Sequence, residues 1–136
     1  PTNITYGHNN RSAQFRLPQN RYCIENRAAD LTMNVYLALG MTLSAAIEGI
    51  QNKIDPGKAS DFDLYALSNQ EMKKLGIRRL PRNLLQATEA LQKNKIAEKV
   101  LGKVMLNSYV NYKNDEWERY HQAVTDWEVK EYLRLY

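Results

Sequence analysis

The spacing of apolar positions changes near residue 30. Before it they come in short runs interrupted by polar residues. Residues 12–17 and 22–27 read as two strands, with Pro18, Gln19 and Asn20 as the turn between them. Two short strands are not a stable sheet, so either they pair with each other and pack on the helices, or, the reading preferred here, they belong to a larger antiparallel sheet whose other strands lie elsewhere. From residue 34 the apolar positions crowd together: Val35, Leu37, Leu39, Met41, Leu43, Ala45, Ala46, Ile47 and Ile50. Asn34 caps a helix over 34–52, and its apolar density predicts a buried helix rather than a one-sided one. Gly40 and Gly49 cost helix propensity, which close packing offsets. Pro56 and Gly57 then break the pattern.

Residues 58–67 read as an exposed loop carrying Phe62 and Tyr65. Ser68 followed by Glu71 is a capping-box signal for a short helix ending near Gly76. Pro81 suits the first turn of a helix over 82–93. Two more helices are expected over 95–122 and 125–135, with a break around Gly102. The predicted fold class is α+β: two short N-terminal strands from a larger antiparallel sheet, then a mostly helical C-terminal region.

Composition narrows the function classes. The chain has 136 residues, 43% hydrophobic and 25% charged, which suits one globular domain with a modest core. No apolar run reaches the roughly 18 residues of a membrane helix. The opening Pro1 reads as the start of a fragment or a processed chain. A single Cys23 excludes an internal disulfide and fits a reducing compartment, most simply the cytoplasm. Cys23 itself is expected to be a buried small residue rather than a nucleophile. The two His and one Cys show no zinc-type spacing. The net charge of +4 is too mild for a dedicated nucleic-acid binder.

Chemistry concentrates near the start. Arg11, Arg16, Arg21, Glu25 and Arg27 fall within the first 30 residues. Guanidinium forks match the oxygens of phosphate and carboxylate. Glu25 and Arg27 are two apart, so a strand points both to one face. They either share a pocket, one for a metal and one for an acid substrate, or simply pair as a solvated salt bridge. Arg11 and Arg16 have opposite parity, which places Arg11 in the loop before the strand or requires a bulge.

Four stretches in order carry a resemblance: "NNRSAQFRLP", "IENR", "MNVYLALGMTLSAAIEGIQNKIDPG" and "DFDLYALSNQE". Together they resemble the C-terminal part of the glutamine synthetase catalytic domain, with a γ-glutamylmethylamide synthetase-like bacterial branch included. The resemblance divides the chain into active-site strands (1–30), a long buried helix (34–52), an exposed loop (53–67) and a helical tail (68–136). It implies that Arg11 and Arg16 contact ATP phosphates, Arg11 also acting on the transferring phosphoryl group. Glu25 would ligate Mg2+ or Mn2+, and Arg27 would bind the glutamate substrate. Tyr65 falls where some bacterial members carry a tyrosine that accepts an AMP group; the other reading is an ordinary loop aromatic. A second arginine commonly precedes the metal glutamate in the family. Tyr22 and Cys23 occupy that place here, and Arg21 is the nearby candidate for the nucleotide.

The activity implied is ATP-dependent joining of ammonia, or of a small amine such as methylamine, to glutamate through a γ-glutamyl phosphate. The family's stacked rings imply a homo-oligomer. Its other metal ligands, glycine-rich ATP segment and ammonia-binding residues are not in this sequence, so the chain alone is expected to be inactive. The sequence also offers two other readings. Lys73, Lys74, Arg78, Arg79 and Arg82 lie near an aromatic tail, but Asp115, Glu116, Glu118, Asp126, Glu128 and Glu131 interleave with those aromatics and oppose nucleic-acid binding. The amphipathic tail ending "WEVKEYLRLY" could instead make the chain a non-catalytic helical assembly module.

Overall fold

A computed structural model describes residues 2–133 and 135 of the chain. The elements in order are β1 (Asn3–His8), β2 (Ala13–Leu17), β3 (Glu25–Asn26), α1 (Val35–Gln51), a single 3-10 turn (Leu64–Ala66), α2 (Asn69–Lys74), β4 (Arg78–Arg79), α3 (Leu84–Gln92), α4 (Lys95–Gln122) and α5 (Asp126–Tyr132). The fold is α+β. It divides into two compact units, residues 1–80 and residues 81–136.

The first unit is built on a four-stranded sheet in the order β3-β2-β1-β4. β2 and β3 form the expected antiparallel pair, with Arg16 opposite Glu25. The sheet is nevertheless mixed, because β1 runs parallel to β2. Its further strands come from this chain: β1 precedes the expected pair and β4 closes the other edge, Asn3 opposite Arg79. Only residues 9–12 separate β1 from β2. Parallel neighbours ordinarily need a crossover of about a dozen residues, so this segment has no slack.

The segment before the 3-10 turn is not the free loop its composition suggests. Ser60 N–H donates to the Tyr6 carbonyl at 2.8 Å, continuing along β1 beyond β4. Gly7 is buried against it: a Cβ there would collide with the Ser60 carbonyl oxygen and lie 2.8 Å from Asn10 Cβ. Only glycine allows so close an approach of backbones. Leu64 turns inward beside Ala13 and Met72, with Leu67 and Ile77 packed around them as a small core. Ser68 and Glu71 form the capping box of α2, each side chain satisfying the other's backbone N–H.

Helix α1 starts where its cap predicts. Asn34 Oδ1 accepts from Tyr36 N–H at 3.0 Å and Leu37 N–H at 3.2 Å. Its burial differs from expectation: none of its residues is buried. The apolar density is real, but no described element buries it fully.

In the second unit α3 packs on α4, and Thr88, Ala97, Leu106 and Val110 are buried. Asn83 caps α3, so Pro81 precedes the helix rather than entering its first turn. Gly102 adopts φ 72° and ψ 156° and breaks α4 at the anticipated place. Thr125 and Glu128 form a second capping box at α5. Arg134 and Tyr136, at the end of the expected tail, lie outside the described residues. Among the described residues no helix is long and apolar enough to cross a membrane.

Candidate functional site

The β2–β3 pairing sets the geometry of the charged cluster. Opposed residues of an antiparallel pair bring their side chains to one face, so Arg16 and Glu25 meet. Arg16 Nη1 lies 2.9 Å from Glu25 Oε2. Arg21, on the connection between the strands, donates through Nη2 to Glu25 Oε1. Arg27 shares the face of Glu25, as the two-residue spacing predicts, and its Nη1 is 3.9 Å from Oε2. Three guanidiniums thus surround one carboxylate and leave the cluster cationic. The Arg16 and Arg21 hydrogen bonds, in that order, hold the Glu25 carboxyl below its ordinary pKa. The same contact with Glu25 raises Arg21.

Arg16 is the anchor of this cluster. Its side chain is only 17% exposed, against 61% for Arg21. Nη2 donates to Asn9 Oδ1 at 3.0 Å. Its Nε is buried and has no hydrogen-bond partner. A buried donor left unpaired carries a desolvation cost, which an anion oxygen placed there would relieve.

Arg11 stands apart from the carboxylate. It lies in the segment between β1 and β2, as its parity requires, and its side chain is exposed. Its carbonyl accepts from Arg27 Nε at 3.3 Å. The side chain lines an open recess of about 410 Å³ shared with His8, Asn9, Asp61, Phe62 and Tyr65. Tyr65 sits on the 3-10 turn and is 66% exposed. Four of the six candidate residues therefore form one cluster, while Arg11 and Tyr65 line the adjoining recess. Asn9 joins the two by lining the recess while holding Arg16.

Several residues of this neighbourhood escape sequence reasoning. Asn9 adopts φ 52° and also accepts from the Gln19 N–H. Asn10 donates to the carbonyls of Ser60 and Phe62 while accepting from Ser12 N–H at 2.8 Å. An Asn-Asn pair in a short connection is a turn signal, and it was available to be read. His8 and Asp61 offered no such signal. His8 N–H donates to Asp61 Oδ1 at 2.7 Å, and its Nδ1 lies 3.0 Å from Oδ2, across 53 residues of chain. The backbone bond from His8 is the main cause that lowers the Asp61 pKa. Cys23 is exposed rather than buried, because it lies on the connection outside the paired part of the hairpin.

Divalent metals of the hard class need several oxygen ligands. Here Glu25 offers two oxygens, and arginines engage both. Among the described residues no group of three or more His, Cys, Asp or Glu side chains comes together. Among the described residues the cluster offers one carboxylate, from which a coordination shell cannot be built alone. For an anion the fit is better, since Arg16, Arg21 and Arg27 are already gathered.

Comparison with known proteins places these residues in context. The glutamine synthetase catalytic domain family matches residues 1–132. A glutamine synthetase of Methanocaldococcus jannaschii is 38% identical over 136 residues, covering 98% of this chain and 30% of the relative. A glutamate–methylamine ligase of Methyloversatilis universalis is also 38% identical, over 100% of this chain and 30% of its own length. A solved GmaS–ADP complex superposes with a TM-score of 0.85 at 34% identity, covering 98% of this chain and 30% of that one. The chain spans about 30% of the length of the curated relatives it matches.

Proposed function

The chain belongs to the glutamine synthetase family, and from that premise we propose that it supplies the C-terminal part of an ATP-dependent ligase. The reaction joins ammonia to the side-chain carboxylate of glutamate. The observation that carries this reading is the gathering of Arg16, Arg21 and Arg27 around Glu25, beside the recess that holds Arg11.

The chemistry explains why such residues are needed. A carboxylate is a poor acylating group. Transfer of the terminal phosphoryl group of ATP to a glutamate side-chain oxygen releases ADP and leaves an acyl phosphate. An amine then attacks the carbonyl carbon, phosphate departs with the C–O bonding pair, and the nitrogen loses its extra proton. Negative charge spreads over the phosphoryl oxygens in flight, and positioned cations stabilise it. Arg11, Arg16 and Arg21 are assigned to the nucleotide phosphates, with Arg11 also reaching the transferring group. Arg27 is assigned to the carboxylate of the glutamate substrate. Glu25 orients Arg16 and Arg21 and is this chain's one ligand to a bound Mg2+ or Mn2+, whose charge would add to that of the arginines.

The remaining ligands and the amine site belong to parts of the catalytic domain outside this chain, so the 136-residue polypeptide alone is expected to form no product. Incubating it with ATP, glutamate and ammonium, and assaying ADP and glutamine, tests this. Measurable turnover refutes the missing-parts argument. The complete ligase is expected to be a homo-oligomer, and the exposed Cys23 suits a cytoplasmic setting.

The match to a glutamate–methylamine ligase favours a second reading, in which methylamine replaces ammonia and the product is a γ-glutamylamide. Comparing kcat/KM for ammonium and methylamine in the completed enzyme decides between them. Tyr65 is exposed enough to accept an AMP group, and mass spectrometry of the protein from nitrogen-replete cells tests that role against a plain loop aromatic. An assembly role for the tail rests on the exposed Trp127 and Tyr132 of α5. Deleting residues 125–136 and measuring oligomer size tests it.

A further inference from the structure

Arg11 and Arg16 have opposite parity, yet both are assigned to the nucleotide phosphates. A regular strand alone would aim them to different faces. One side chain, that of Asn9, ties them together. Its Oδ1 accepts from Arg16 Nη2 at 3.0 Å and from the Gln19 N–H at 3.3 Å. Both neighbours are donors, so the oxygen of the amide must face them. The backbone is bound at the same place, since Asn9 N–H donates to the Leu17 carbonyl at 3.0 Å. Asn9 thus grips the end of β2 at Arg16, Leu17 and Gln19. Its φ of 52° turns the chain out of β1, a conformation that asparagine tolerates better than most residues. Arg11 follows on the same connection. Asn10, between them, donates to the Ser60 and Phe62 carbonyls, which anchors the connection from the other side.

We propose that Asn9 is a positioning residue that fixes the Arg16 guanidinium relative to Arg11, so that both address one phosphate chain. This rests on the ligase reading and deepens it by naming a residue that acts through Arg16. Glu25 is not Arg16's alone: its other oxygen accepts from Arg21, and Arg27 lies 3.9 Å away. Arg16 Nε has no partner. Among the described residues no other guanidinium contests the Asn9 oxygen. With Nη1 on Glu25 and Nη2 on Asn9, the planar fork is held from both sides. With either contact removed it is free to swing, and small misplacements of a positioned group are costly to a rate. An amide also carries no charge, so it holds Arg16 without cancelling the cationic character of the cluster. Arg27, assigned to the glutamate substrate, is held instead by the Arg11 carbonyl. Losing the Asn9 side chain should therefore be felt on the nucleotide side of the reaction.

The test uses the full-length ligase that carries this chain. Asn9→Gly keeps the left-handed backbone accessible and removes the acceptor. It is expected to lower kcat/KM for ATP by about tenfold or more while KM for glutamate moves by less than about twofold. Asn9→Asp keeps an acceptor oxygen at the same reach and is expected to restore kcat/KM for ATP to within about threefold of the parent. In an Arg16→Lys background, which has no fork to orient, Asn9→Gly is expected to add less than about twofold. A readout without substrates is the rate at which phenylglyoxal modifies Arg16, followed by peptide mass spectrometry. It is expected to be about threefold faster or more in Asn9→Gly than in the parent or Asn9→Asp, because the freed fork is more accessible. Equal Arg16 reactivity in the three proteins overturns the proposal. So does an unchanged kcat/KM for ATP, a loss shared equally by ATP and glutamate, or a loss that persists in full in the Arg16→Lys background. A parent protein that forms no ADP with glutamate and either ammonium or methylamine overturns the ligase reading, and the phenylglyoxal rates then decide the Asn9–Arg16 coupling on their own.

Discussion

Within the first unit, the β2–β3 hairpin gathers charge and α1 displays apolar side chains. Arg16, Arg21 and Arg27 all reach Glu25 within a short stretch of chain, and the β2–β3 register is sufficient to bring them together. On α1 a longer and better-capped element leaves every residue unburied. The difference is one of reach. A fork and a carboxylate need only one facing partner a few ångströms away. An apolar helix surface needs a complementary surface many side chains wide, which a two-strand hairpin does not provide. A segment can therefore complete its polar chemistry locally and still depend on distant chain for its hydrophobic contacts.

Perturbing both surfaces sharpens this contrast. The largest effect is expected from Arg16→Ala in the completed ligase. Losing one positioned donor lowers kcat by about 10²- to 10³-fold in comparable sites, read as glutamate-dependent ADP release. A loss under tenfold would remove the charged cluster from the reaction. Next comes Gly7→Ala, which drives a methyl group into the Ser60 carbonyl. It should cost about 1–3 kcal/mol, measured by urea unfolding of the isolated chain. Asn34→Ala removes the α1 cap and should cost about 1 kcal/mol, seen as lost helical ellipticity and a lower Tm.

Acid sensitivity separates the two surfaces further. A carboxyl with a lowered folded-state pKa stabilises the fold above its unfolded value and loses that contribution as pH falls through the folded value. For Glu25, whose ordinary value is 4.5, stability should therefore decline as pH is taken below that point. Glu25→Gln should flatten that part of the acid titration, and an unchanged slope would mean the arginines contribute nothing to folding. The smallest effect is expected from Ile47→Lys. In the isolated chain it should shift unfolding by no more than about 0.5 kcal/mol, because the side chain is already more than half exposed. A large loss would show that α1 is covered within the chain after all.

What could be read from the sequence follows the same division by range. Asn34 and Ser68 announced their helices because a cap acts on amides two or three residues away. Gly102 announced its break for an equally local reason. The β2–β3 pair and the shared face of Glu25 and Arg27 followed from spacing alone. β1 and β4 were not legible as partners. β4 is two arginines with no apolar alternation, and β1 lies parallel to a strand only four residues ahead, against the usual requirement for a long crossover. His8 and Asp61 meet across 53 residues, beyond any spacing rule. The density of α1 was plain, but burial is a property of the neighbours, and pattern alone does not say whose they are.

The pairing of Asn3 with Arg79 has a bearing on how the molecule is made. As the polypeptide leaves the ribosome, the hairpin carrying Arg16 and Glu25 can close once residue 26 has emerged, whereas β1 must wait for residues 78 and 79 to gain its outer neighbour. Until then one margin of the sheet stays open, in a nascent chain that also displays the exposed apolar residues of α1. That interval is when chaperone capture and misassembly compete with folding, and its length is set by the time needed to translate some fifty codons, those for residues 27–79.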